Sequence, residues 1–101
     1  MLLVLCVAVA STAVQAQTKQ LMQWQNDLKF LRNATGDELM ENRAAVVQIR
    51  NGVEFWLKLH PDSRIELAPA ADQPWGTEEI RNQVSVLLQA VETIIKEESG
   101  R

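Results

Sequence analysis

The sequence is almost free of cysteine, and its only one, Cys6, lies within the first sixteen residues. That stretch, MLLVLCVAVASTAVQA, carries no charged side chain and is apolar from Met1 to Ala10. Without it, residues 17–101 hold no cysteine and can form no disulfide. Small secreted eukaryotic domains usually depend on disulfides. The absence therefore favours a bacterial protein that is periplasmic or secreted.

The same stretch is typical of a secretory signal peptide. Val14 and Ala16 occupy the positions that a signal peptidase reads, which predicts cleavage after Ala16 and a mature domain of residues 17–101. The N-terminal end of this stretch lacks the Lys or Arg that a signal peptide usually carries. A start codon assigned a few residues late would explain that lack. The run is shorter than the roughly 20 apolar residues of a membrane span. No stable span is expected after cleavage, although a retained signal anchor is the alternative.

Groups that carry catalysis are scarce as well. The sequence has one histidine, His60, no Gly-x-Ser-x-Gly motif, and no cysteine in residues 17–101, so a nucleophile with its base is not expected. One histidine cannot supply a zinc site, and the four glycines lie singly rather than in a phosphate-binding loop. The carboxylates of the Pro-rich segment do not have the spacing of a calcium loop. We therefore expect no enzyme activity, no cofactor and no metal.

Basic residues are too few and too dispersed to form a cationic surface. The chain has 10 Lys and Arg against 13 Asp and Glu, a net charge of −3, with no basic cluster. Nucleic-acid binding depends on such clusters, and so does electrostatic binding to anionic lipid. The charge pattern argues against both partners.

Helical periodicity is what the sequence does contain. Leu21, Trp24, Leu28 and Leu31 recur at spacings of three and four, which predicts a helix over about 19–32. Thr35 and Glu38 form a capping-box motif at the start of a central helix over about 36–59. A third helix over about 77–97, with Thr77 as its N-cap, has a broad apolar stripe of Ile80, Val84, Leu87, Leu88, Val91, Ile94 and Ile95. The prediction is an all-α, small three-helix bundle in one domain, with a Pro-rich connector over 60–76.

The central helix is apolar on two sides, and a strip with Arg50 and Glu54, spaced to pair, separates them. One side holds Leu39, Val46, Ile49, Val53, Trp56 and Leu57, and the other holds Met40, Ala44, Val47 and Leu59. Such a helix either packs between two others or presents its second side to a partner. Because the sequence predicts two other helices, packing between them is favoured. Asn51-Gly52 is also a strong hairpin signal. Because hairpin pairing would leave neither face apolar, a helix weakened or kinked at this dipeptide is favoured.

The connector raises two further alternatives. His60 lies just before Pro61, at the predicted end of the central helix, where a histidine more often interacts with the helix dipole than it catalyses. Arg64-Ile65-Glu66-Leu67 is a candidate extended segment. Trp75 either folds back over the end of the bundle or forms an exposed recognition tip. Asn33-Ala34-Thr35 matches the N-glycosylation motif, which would mean nothing in a bacterium.

Two hypotheses about function follow. The first is a small exported helical protein that acts by protein–protein association or self-association, with Met40, Val47, Trp56 and Trp75 as candidate binding residues. The second is a carrier or chaperone-like binder of small hydrophobic ligands, with an apolar pocket between the helices beneath the Pro-rich connector. A further interpretation is that the chain is the exported N-terminal part of a larger protein.

Overall fold

The computed structural model describes residues 18–72 and 74–100, and within these ranges the chain forms helices and no strand. The described part of helix α1 covers residues 18–32, followed by α2 (Gly36–Glu41), α3 (Arg43–Leu59) and α4 (Thr77–Ser99). The predicted all-helical class is therefore confirmed. The predicted signal peptide, residues 1–16, lies outside the described residues.

The helix directions follow from contacts along α4. At one end of the bundle, Arg81 of α4 donates a hydrogen bond to Ala34 O, just after α1, at 3.3 Å. At the other end, Leu21 of α1 lies beside Ile95 of α4, so α1 and α4 are antiparallel. Helix α3 instead runs parallel to α4, because Arg50 bonds to Gln83 and Trp56 bonds to Glu98, farther along both helices.

The parallel arrangement of α3 and α4 explains the length of the connector. The chain leaves α3 near the C-terminal end of α4 and must return along the whole bundle before α4 begins. Ser63 bonds to Glu97, and eight residues later the backbone N–H of Ala71 bonds to Glu79. Eight extended residues span about 26 Å, close to the roughly 27 Å between positions 79 and 97 of a helix. Between Ser63 and Ala71 the connector is therefore nearly fully extended, although these residues form no β-bridge.

The apolar stripes predicted for α1, α3 and α4 meet in one core. Leu28, Leu39, Val46, Val53, Ile80, Leu87, Val91 and Ile94 are fully buried in it. The first side of the central helix is thus confirmed as core. The preferred interpretation of its second side was wrong: Met40, Ala44 and Leu59 are exposed, and only Val47 packs partly against the core.

The central helix breaks at Asn42, and not at Asn51-Gly52. Asn42 has φ −103° and ψ 13°, and its side-chain amide donates to Glu38 O at 2.7 Å. An asparagine that bonds to nearby backbone competes with the regular helical pattern, which separates α2 from α3. Helix α3 runs through Asn51 and Gly52 without a break. The hairpin alternative and the predicted position of the weak point were both wrong.

One of the two predicted N-caps is confirmed. The Thr35 hydroxyl accepts the N–H of Glu38 at 3.2 Å, and the Glu38 carboxylate accepts the N–H of Thr35 at 3.1 Å, a complete capping box. Thr77, in contrast, is the first residue of α4, and Gly76 occupies the N-cap position without a side-chain bond. The assignment of Thr77 as N-cap was wrong by one residue.

Candidate functional site

The four residues predicted to bind a partner do not form one surface. Met40 on α2 is 44% exposed and Val47 on α3 is half-buried, whereas Trp56 and Trp75 are each only 4% exposed. The two tryptophans also lie at opposite ends of α4. Trp56 bonds to Glu98, and Trp75 precedes the N-cap of that helix. A rise of 1.5 Å per residue separates these levels by about 33 Å.

Trp75 is folded back onto the bundle, so the alternative of an exposed recognition tip is wrong. Its ring is buried in the core cluster, and its indole N–H donates to Ala71 O at 2.8 Å. This bond joins two points of the connector just before α4 begins. The ring therefore anchors the connector to the end of the bundle.

Trp56 belongs to a polar cluster at the opposite end. Its indole N–H donates to Glu98 Oε1 at 3.1 Å, and the His60 ring stacks on it with centroids 3.9 Å apart. His60 Nδ1 lies 2.9 Å from Trp56 O, and because a carbonyl only accepts, Nδ1 carries the proton in this contact. His60 Nε2 lies 3.8 Å from Glu98 Oε1. These contacts join the C-terminal ends of α3 and α4, and they agree with the predicted role of His60 at the helix end.

A buried arginine fixes the connector from the side of α3. The guanidinium of Arg50 donates to Glu54 at 2.7 Å, to Gln83 at 2.6 Å and to Ala68 O at 2.8 Å. Gln83, itself buried, donates in turn to Glu79 Oε1 at 2.9 Å. The predicted Arg50–Glu54 pair is confirmed, but Arg50 is buried and joins α3, α4 and the connector. In the sequence, the feature that indicates this contact is Gln83, a polar residue that lies between Ile80 and Val84 of the apolar stripe.

Exposed apolar side chains mark other parts of the surface. The large ones among the described residues are Met22, Phe30, Met40, Phe55 and Leu59. Phe55 and Leu59 stand one helical turn apart on α3 and are 62% and 59% exposed. Residues four apart on a helix are neighbours on its surface, so this pair forms a local apolar patch. The sequence predictions placed Leu59 on the second side of the central helix and did not single out Phe55.

A groove lies between the connector and α4. Its volume is about 270 Å³, and its apolar lining comes from Ile65, Leu67, Val86 and Ala90. Arg64, Glu66, Gln89, Thr93 and Glu97 supply polar groups around it. The groove lies beneath the Pro-rich connector, but it is formed by the connector and α4 and not between helices, where the hypothesis of a ligand carrier placed its pocket. It is slightly smaller than the 300–1,000 Å³ of most sites that bind drug-sized ligands.

Within residues 18–72 and 74–100, no three His, Cys, Asp or Glu side chains are grouped so as to hold a metal ion. None of the helices in these ranges is long and apolar enough to cross a bilayer. No family model, curated protein or solved structure matches the chain.

Proposed function

We propose that the chain is a small exported helical protein that acts by protein–protein association and has no catalytic activity. Export is supported by the uncharged apolar start and the peptidase-type residues before position 17. Its destination is the periplasm or the medium. The association surface is the exposed apolar part of α3, and the observation that carries it is the Phe55–Leu59 patch.

The patch has the chemistry of an association site. Aromatic side chains are enriched in the cores of protein interfaces, and complete burial of a Phe or Leu side chain stabilises a complex by about 1.5–3 kcal/mol. Phe55 and Leu59 remain mostly exposed. They lie on a helix that the Arg50 contacts and the Trp56 cluster hold firmly against α4. A partner would therefore meet a preformed surface, without the entropic cost of ordering a loop.

Met40 offers a second, separate point of contact. It lies on α2, on the other side of the Asn42 break, while Phe55 and Leu59 occupy the last part of α3. Val47, between them, is half-buried against the core. Charge substitutions at Met40 and at the Phe55–Leu59 patch therefore report on different surfaces. A substitution at Val47 reports partly on stability.

The test is affinity capture with tagged residues 17–101 from the secreted and cell-envelope fractions of the host, together with sedimentation of the free protein. The variants are Phe55→Glu, Leu59→Glu and Met40→Glu, with Phe30→Glu on α1 as the matched control, since Phe30 is 65% exposed. We expect all four to stay folded. One stoichiometric partner, or a homodimer, should be lost with Phe55→Glu and Leu59→Glu and kept with Phe30→Glu. Association that is equally unaffected by every variant would exclude the patch, and a monomer with no partner would exclude association.

The groove beneath the connector supports a second candidate, the binding of a small hydrophobic ligand. Ile65 and Leu67 line it from the connector, and Val86 and Ala90 from α4. An apolar dye or fatty acid that enters the groove would contact Ala90, so Ala90→Phe should block it by filling the space. No binding of a panel of fatty acids and hydrophobic dyes, or binding that Ala90→Phe leaves unchanged, would remove this candidate.

A further inference from the structure

The turn between α1 and α2 carries a motif that association does not use. Asn33-Ala34-Thr35 has the Asn-x-Thr pattern of an N-glycosylation acceptor, and the middle residue is not proline. The remaining asparagines lack Ser or Thr two positions later, where Leu28, Ala44, Val53 and Val84 stand instead. Asn33 is therefore the single acceptor motif in the sequence.

The structure presents Asn33 in a form suited to this modification. It is exposed in the turn after α1, and within the described residues its side chain makes no hydrogen bond. The backbone beside it is fixed: Ala34 is buried, its N–H donates to Leu31 O at 3.1 Å, and its carbonyl accepts from Arg81. A sugar attached to Asn33 would extend into solvent without displacing any packed side chain.

We propose that Asn33 carries an N-linked glycan. The proposal rests on the proposed export. It places that export in a eukaryotic secretory pathway, which contains an oligosaccharyltransferase, and not in the bacterial periplasm that the lack of cysteine favours, where this motif would have no role. In the transfer, Nδ2 of Asn33 forms a bond to C1 of a sugar carried on a polyprenyl pyrophosphate. The C1–O bond to the pyrophosphate breaks, the pyrophosphate leaves with the electron pair, and a base on the transferase takes the amide proton.

The capping box determines whether the sugar is transferred before or after α2 folds. In the folded chain the Thr35 hydroxyl accepts from the Glu38 N–H, and the Thr35 N–H donates to the Glu38 carboxylate. Thr35 is thus engaged by its own helix once α2 has formed. Transfer takes place before α2 is capped, while Thr35 is still available to the transferase. The box closes afterwards unhindered, because Asn33 is not one of its members.

The position of the glycan also limits where a partner can bind. The turn lies at the level of Arg81 on α4, whereas the Phe55–Leu59 patch flanks Trp56, which reaches Glu98. These levels are about 25 Å apart along α4. The sugar covers the end of the bundle that holds α2 and leaves the patch on α3 free.

The experiment is to express the full chain with its own N-terminus in a eukaryotic secretory cell and to treat the secreted protein with a peptide-N-glycosidase. We expect a loss of mass equal to one glycan and conversion of Asn33 to aspartate. Thr35→Ser, which keeps both the motif and the cap, should retain the glycan. Asn33→Gln and Thr35→Asp should lose it, and Thr35→Asp keeps a capping oxygen, so loss of the glycan there is not due to loss of the cap.

The outcomes separate this proposal from export itself. Secreted protein without a glycan would overturn the assignment of Asn33 and leave export intact. If the chain stays inside the cell, export by its own N-terminus is overturned, and residues 17–101 are then expressed behind an established signal peptide. A glycan at Asn33 in that second experiment supports the site, and its absence overturns it.

Discussion

The indole ring of Trp24 on α1 lies against the backbone of Gly52 in the middle of α3. A Cβ atom at position 52 would overlap Cη2 and Cζ2 of that ring. Glycine in a helix interior costs about 1 kcal/mol relative to alanine. Here the missing side chain allows the helices to approach closely. The glycine that suggested a hairpin or a kink is therefore a packing site.

Gly52→Ala should destabilise the protein although alanine is the better helix former. The new methyl group must displace Trp24, and overpacking of this kind costs about 1–3 kcal/mol, more than the gain in helix propensity. Urea denaturation of residues 17–101, followed by circular dichroism, measures the free energy of unfolding.

Gly36→Ala is the matched control for this substitution. A Cβ atom at position 36 meets only Thr77 Cγ2 at 3.4 Å, an ordinary contact. We expect that variant to be unchanged or up to about 1 kcal/mol more stable. Trp24→Leu should also reduce the cost of Gly52→Ala in the double variant. Equal effects of alanine at positions 36 and 52 would show that Trp24 does not determine the need for glycine.

Local patterns in the sequence predicted the helices because each apolar stripe and the Thr35–Glu38 box lie within one segment. The break at Asn42 was missed, since the apolar spacing continues across it and only the side-chain bond to Glu38 O reveals it. The function of Gly52 was missed for a different reason. Its partner, Trp24, is 28 positions away, and helix propensity contains no information about the partner helix.

The positions of the site residues also depend on long-range contacts that local sequence patterns do not contain. Met40 and Leu59 are exposed, which was the less favoured alternative for their side of the central helix, and the burial of Trp56 and Trp75 depends on contacts with α4 and the connector. The parallel direction of α3 and α4 could not be read from the stripes either. A long connector allows both directions, and only the assembled contacts decide between them.

Arg50→Met should destabilise the protein strongly, although Arg50 belongs to what the sequence suggested was a polar strip. The substitution keeps most of the side-chain volume but removes the donors to Gln83 and to Ala68 O. A buried acceptor left without a donor costs about 1–3 kcal/mol. The free energy of unfolding should fall by at least that amount, and the connector should become sensitive to protease.

A matched control and a double-mutant cycle separate the interaction from loss of charge. Arg64→Met removes an exposed connector arginine that makes no hydrogen bond within the described residues, and it should change stability by less than about 0.5 kcal/mol. Combined with Gln83→Leu, Arg50→Met should cost less than the sum of the two single effects by more than about 0.5 kcal/mol. Additive effects would argue against direct coupling of Arg50 and Gln83.

The two threonines near helix starts should respond differently to alanine. Thr35→Ala removes the hydroxyl that accepts from the Glu38 N–H, which is half of the capping box, at a cost of about 1 kcal/mol. Thr77→Ala should be close to neutral, because Thr77 lies inside α4 and makes no cap bond. Gly76→Asp should stabilise α4 by a few tenths of a kcal/mol. Thermal unfolding of the three variants checks the order, and a larger loss from Thr77→Ala than from Thr35→Ala would contradict it.

Trp75 should control whether the connector stays on the bundle. Trp75→Phe keeps an aromatic ring but removes the donor to Ala71 O, which should cost about 1 kcal/mol. Trp75→Ala leaves a cavity as well and should cost about 3–5 kcal/mol. Limited proteolysis should then cut the connector in the order alanine variant, phenylalanine variant, wild type. In a variant whose only tryptophan is Trp75, with phenylalanine at the other two positions, acrylamide should quench fluorescence weakly. Strong quenching, with no change in proteolysis for Trp75→Ala, would contradict the folded-back position of the ring. It would support the alternative in which Trp75 forms an exposed recognition tip.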